Sequence, residues 1–169
     1  MRWVLVVVGT LVLIVGVAAL VGAMLPRAHR ASRRARFRQT PEALYAVLAG
    51  PPDWRSDLKE FGSLPDKDGR KQWWEVSQGQ RITYELVEDS PPKRRVTRIA
   101  DASLPFGGTW TLEIAPAGDG AALRITEDGE VRNVIFRFMA RFVFGYTGSI
   151  DGFLRDLGKK LGEAVEIEA

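Results

Sequence analysis

The sequence predicts an α+β protein, with an antiparallel sheet of about seven strands, a long C-terminal helix laid on it and one transmembrane helix in front. Three observations carry this. The residues from Trp3 to Leu25 form an uncharged run of 23. After Trp54 the chain becomes a series of short alternating runs divided by Gly, Pro and Asp, the pattern of consecutive antiparallel strands. From Val131 onward apolar residues recur in steps of three and four over about thirty positions.

The apolar run, as a helix, extends about 35 Å at roughly 1.5 Å per residue, enough to cross a bilayer. A cleavable signal peptide is the competing reading, because Val21 and Ala23 form a small-residue cleavage pattern. The run exceeds a usual signal core, however, and only Arg2 supplies the basic flank. Residues 1 to 38 hold seven arginines and no acid, leaving 17 basic and 21 acidic side chains in the rest of the chain. The high pI therefore belongs to the membrane-proximal segment and points to anionic lipid headgroups near Arg27 to Arg38 rather than to nucleic acid. With a single arginine before the span and six after it, the positive-inside rule places the body in the cytoplasm, as a single-pass membrane protein. The expected organisation is an anchor over residues 1–26, a basic juxtamembrane segment over 27–38 running into the first strand, and the remainder of the domain over 39–169.

Thr40-Pro41-Glu42 reads as a helix start, with Thr40 as cap, and Leu44, Tyr45, Val47 and Leu48 give a short amphipathic helix stopped by Gly50-Pro51-Pro52. Strands are expected over Glu60–Leu64, Lys71–Ser77, Gln80–Glu88, Arg94–Ala100, Gly108–Ala115 and Ala121–Glu130. Asp68-Gly69, Gln78-Gly79, Ser90-Pro91-Pro92 and Gly118-Asp119-Gly120 supply the turns between them. Phe106-Gly107-Gly108 is a bend entering a strand, not a phosphate loop. In the C-terminal stripe, Val131, Ile135, Phe138, Phe142, Tyr146, Ile150, Leu154, Leu157 and Leu161 predict one continuous amphipathic helix. Arg137 and Arg141 at its centre rule against a second span.

There is no cysteine, which excludes disulfides, thiolate metal sites and cysteine nucleophiles. The one histidine, His29, falls in the arginine-rich segment, so a histidine metal site or a Ser-His-Asp triad within the folded body is not expected. No metal and no cofactor are expected, and any catalysis has to rely on carboxylates, Tyr, Lys or Arg.

Pro51-Pro52-Asp53-Trp54, the pair of runs around Trp73-Trp74-Glu75 and Tyr84, Ser90-Pro91-Pro92-Lys93-Arg94, Leu104-Pro105-Phe106-Gly107-Gly108-Thr109-Trp110 and Ile125-Thr126-Glu127-Asp128-Gly129 together resemble the SRPBCC superfamily. This is the START-like group that includes polyketide cyclase/dehydrase-type and lipid-transport proteins, and the likeness runs from about Arg30 to Glu163. The resemblance implies a helix-grip fold, a curved sheet wrapped around the C-terminal helix with an apolar cavity between them. Such a cavity admits a lipid, sterol, polyketide or other hydrophobic molecule; the fold does not choose among them.

Eight residues are candidates to line that cavity. Period two puts Glu127 on one face with Leu123 and Ile125, and Arg98 is a candidate partner for it. The pair is either a structural ion pair or a polar anchor and general acid/base. Trp110 shares a face with Gly108, Leu112 and Ile114, and Tyr84 with Ile82 and Leu86; both either line the cavity or fill it. Trp73 and Trp74 must point to opposite faces, and Trp74 is assigned to the cavity. Trp54 borders the mouth or packs in its turn. Phe138 and Phe142, one helical turn apart, are expected to face the sheet as a lid. The function this favours is a membrane-tethered domain binding a hydrophobic small molecule or lipid. The alternatives are a cyclase/dehydrase-like enzyme using Tyr84, Glu127 or Arg98, and an interaction module with a filled core.

Overall fold

The computed structural model describes residues 2–77 and 79–169. Helix α1 (Arg2–Met24) is followed by β1 (Ala28–Phe37), α2 (Pro41–Ala49), β2 (Leu58–Lys67), β3 (Arg70–Ser77), β4 (Gln80–Ser90) and β5 (Arg94–Ile99). Then come β6 (Phe106–Ala117), β7 (Gly120–Val131), α3 (Val134–Met139), a π-helical turn (Ala140–Phe144), α4 (Gly148–Leu161) and the two-residue β8 (Ile167–Glu168). The strands form one antiparallel sheet in the order β2-β3-β4-β5-β6-β7-β1-β8. Seven long strands and a short edge strand thus make the curved sheet of a helix-grip fold.

Local chemistry explains the element boundaries. The Thr40 hydroxyl accepts the Ala43 amide at 3.3 Å, and Pro41 opens α2, where no amide partner is needed. Asp68 and Gly69 both adopt positive φ, 52° and 74°, as a two-residue hairpin turn between Lys67 and Arg70 requires. Gly118 and Asp119 turn β6 into β7. In the expected Gln78-Gly79 turn, Gln78 lies outside the described residues.

α4 supplies one side of the core. Ile150, Leu154 and Leu157 are fully buried against Leu123 and Ile125 of β7, Leu112 and Ile114 of β6, Ala35 and Phe37 of β1, and Leu44 of α2. Each fully buried aliphatic side chain of this kind contributes about 1.5–3 kcal/mol.

The continuous helix expected from Val131 to Leu161 is in fact two separated pieces. α3 lasts six residues, the π turn five, and Gly145 at φ 72° then redirects the chain into α4. The cause lies in α1, against which α3 makes its main packing. Gly22 is the point of closest approach, and any Cβ there would overlap the Val134 carbonyl. Arg137 is 7% exposed, and its guanidinium donates to the Leu25 carbonyl at 2.8 Å. A cation at the C-terminal end of α1 satisfies a carbonyl the helix cannot bond itself and sits favourably in its dipole. The apolar period is the same whether the stripe faces a sheet or another helix, so it could not reveal this diversion.

Candidate functional site

α4 packs with β1, β6 and β7, and beyond it the concave face of β3 and β4 is partly covered, a shallow bowl in which Glu75 and Ile82 are buried beside aromatic rings. Trp73 of β3 and Tyr84 of β4 stack there at 5.7 Å with an interplanar angle of 18°. Both are only half-buried, as is Trp110 on β6. Phe153 of α4 meets Trp54 and Trp110 edge-on at 5.1 and 5.6 Å and forms the inner wall. The Trp54 indole N–H is buried and lacks a partner among the described residues. A buried donor left in that state costs free energy that a bound acceptor can recover.

Two polar rims flank these rings. On one, Arg55 pairs with Glu75 at 2.7 Å and Asp57 at 2.8 Å, while Glu75 accepts the Trp73 indole N–H at 2.9 Å and Asp57 accepts the Ser77 hydroxyl at 3.0 Å. Burial alone would depress Arg55, but Asp57 and Glu75 outweigh it and hold the guanidinium protonated. On the other rim, Glu127 of β7 lies 3.7 Å from His29 Nε2 and 3.4 Å from the Ser149 hydroxyl. The His29 ring stacks on Tyr146 at 4.2 Å and lies over Gly129, where any Cβ would overlap it. Burial lifts the Glu127 carboxyl above its ordinary range, with His29, Trp110 and Ser149 pulling the other way. Tyr84 lies between the rims: burial, with Glu75 adding to it, raises its hydroxyl so that it stays a donor at neutral pH.

Register sets the bowl's direction. His29 pairs with Gly129, Gly129 with Gly108, and Tyr84 with both Ile99 and Trp73. These positions lie toward the end of the sheet where β1 leaves α1. Gly108 keeps the floor bare; at φ 154° its Cβ would press within 2.8 Å of the Asp128 carbonyl oxygen. Two shallow concavities open at the surface, one of about 360 Å³ beside Gly69 and Leu86 and one of about 190 Å³ beside Ala46, Gly50 and Trp54. Among the described residues no acidic and histidine side chains converge to hold a metal ion.

Of the eight cavity candidates, Tyr84, Trp110 and Glu127 lie on the concave face, Trp54 packs against Phe153 at its border, and four lie elsewhere. Trp74 points to the convex face, where its ring covers Gly62 and carries the Arg81 guanidinium at 4.2 Å. Its neighbour Trp73 takes the concave side, because that face also carries the Glu75–Arg55 pair and so alternates against apolarity. Arg98 is likewise convex and binds Glu85, which Arg70 also approaches at 3.6 Å, so Glu127 has His29 as its partner instead. Phe138 and Phe142 pack on each other at 5.1 Å beside α1, away from the sheet, because Arg137 and Gly22 seat their segment there. His29 belongs to the folded body after all. The signal was in the sequence: stepping back by two from the buried Phe37 through Ala35, Arg33 and Ala31 reaches His29.

No family model matches the chain, and no curated protein resembles it in sequence. Solved structures do share the fold. The di-domain ARO/CYC protein StfQ of the steffimycin biosynthetic pathway superposes with a TM-score of 0.62 at 12% identity, over 77% of this chain and 50% of that one. The chain thus spans half the length of StfQ. Norcoclaurine synthase from Thalictrum flavum gives 0.61 at 10% identity, over 81% and 88% of the two chains. A conserved protein from Geobacillus kaustophilus gives 0.60 at 15% identity, over 82% and 100%.

Proposed function

We propose that this chain is a membrane-tethered domain that binds a hydrophobic small molecule or lipid in the bowl between the sheet and α4. The observation that carries it is the group of half-buried aromatic rings on the concave face beside α4, Trp73 stacked on Tyr84 and Trp110 against Phe153. Trp73, Tyr84, Trp110 and Phe153 offer apolar contact, while the Tyr84 hydroxyl and the Glu127 carboxyl offer a few polar groups on the same face, the usual make-up of a small-molecule site. α1, with mean hydropathy 3.1, is long and apolar enough to cross a bilayer. β1 runs away from α1 at about 3.3 Å per residue, which carries Arg34, Arg36 and Arg38 roughly 20 Å or more from its end. Anionic headgroups are therefore assigned to Arg27 and Arg30, and the arginine excess after α1 favours a cytoplasmic body.

A second reading rests on one observation, the His29–Glu127 contact beside Tyr84, which is the equipment for moving a proton on a bound molecule. StfQ and norcoclaurine synthase show that chemistry occurs on this fold elsewhere, not that it occurs here.

The test is native mass spectrometry of the full chain released from detergent, with solvent extraction of what it carries. A defined hydrophobic adduct that disappears in Trp73→Ala and Trp110→Ala supports the binding reading and names the ligand class. A bare mass after incubation with membrane lipids would favour the interaction module.

A further inference from the structure

Of the six large apolar side chains exposed outside α1 among the described residues, Phe61 and Val87 stand singly on the sheet and four fall together. Phe136, Phe142, Val143 and Phe144 are 47 to 68% exposed, and all lie in α3 and the π turn, beside the C-terminal end of α1. Residues 131 to 150 carry Arg132, Arg137 and Arg141 and no acid. We propose that residues 136–144 form a wedge that lies in the boundary between headgroups and acyl chains, alongside the point where α1 leaves the bilayer.

The proposal rests on the reading of α1 as a membrane span. Given that span, the level of the wedge is set by geometry. A helix of 23 residues is about 35 Å long and the hydrocarbon core is about 30 Å thick, so with Trp3 at one interface Gly22 falls at the other. Gly22 is where α1 touches Val134, and Arg137 ties the same segment to Leu25. The phenylalanines that follow therefore sit at the depth where aromatic rings gain by leaving water. Exposed Arg141, 5.8 Å from the Phe142 ring, is positioned to reach lipid phosphate. Continuity with α1, positive charge and four apolar side chains identify the occupant as an anionic lipid surface rather than a protein.

The native chain lacks cysteine, so single cysteines report individual depths. Phe144→Cys, Phe142→Cys, Val12→Cys and Asp119→Cys, each in the full chain, would be labelled with an environment-sensitive fluorophore and placed in phosphatidylcholine/phosphatidylglycerol vesicles. Lipids with quenchers at shallow or deep acyl positions then locate each label. The expected result is blue-shifted emission with strong shallow quenching at 142 and 144, deep quenching at 12, and none at 119. Deep quenching at 12 with water-like emission and no quenching at 142 and 144 overturns the wedge while leaving the span intact. The same pattern at 12 with blue-shifted but unquenched labels at 142 and 144 assigns the surface to a protein partner and also overturns it. Loss of quenching at 12 removes the span, and the wedge with it.

Discussion

At the scale of single residues, two carboxyl groups, Glu127 partly buried and Asp156 buried, make opposite contributions. Glu127 is raised in the folded state above the 4.5 of an ordinary glutamate, so the folded chain holds its proton more tightly than the unfolded chain. Its contribution to stability is complete below about pH 4.5 and is lost as pH rises through the higher folded value. Glu127→Gln should therefore be at least as stable as the parent at pH 7, with the difference closing toward pH 4 in thermal melts. Asp156, 5% exposed, behaves the other way. Burial would raise it, but the Ser56 hydroxyl at 2.5 Å, the Ser56 amide at 2.7 Å and Lys159 at 3.1 Å prevail and hold it below 3.8. Its contribution is present above about pH 3.8 and lost as pH falls through the lower folded value. Asp156→Asn should cost about 1–3 kcal/mol at pH 7 by denaturant unfolding, and nothing at pH low enough to protonate the parent.

At the scale of elements, the seating of α3 on α1 fixes the course of the chain between β7 and α4. Gly22→Leu places a side chain where the Val134 carbonyl stands, and no rotamer avoids a clash that begins at Cβ. The two helices must part. Arg137→Met removes the bond to Leu25 and should weaken the same contact by about 1.5–3 kcal/mol. In hydrogen exchange on the full chain, both variants should speed exchange over residues 134–144 while the amides of β6 and β7 keep their protection. Equal loss of protection in the sheet would show that the α1–α3 contact holds the whole domain together.

At the scale of the molecule, the sheet divides into a half that carries stability and a half that faces the bowl. The fully buried side chains of α4 meet β1, β6 and β7, whereas over β3 and β4 the concave rings remain half-buried. Leu154→Ala should then cost about 2–5 kcal/mol of global stability. Trp73→Ala, in the bowl, should cost clearly less in the same denaturant titration while abolishing any bound adduct. Equal losses would mean that the bowl is core and not site.

The sequence by itself determined what depends on local period and turn chemistry. The apolar run, the Thr40 cap, the order of seven long strands, the Asp68-Gly69 turn and the shared face of Leu123, Ile125 and Glu127 were all legible from neighbours in the chain. The tertiary structure decided what depends on a partner distant in sequence. Alternation states that Trp73 and Trp74 oppose each other but not which faces inward; the choice came from Arg55, twenty residues before Glu75. The partner of Glu127 came from His29, which enters the fold only because β1 pairs with β7. The break in the C-terminal stripe came from Gly22 and Leu25, over a hundred residues earlier. A period records that one side of a helix is apolar, and only packing selects the surface it meets.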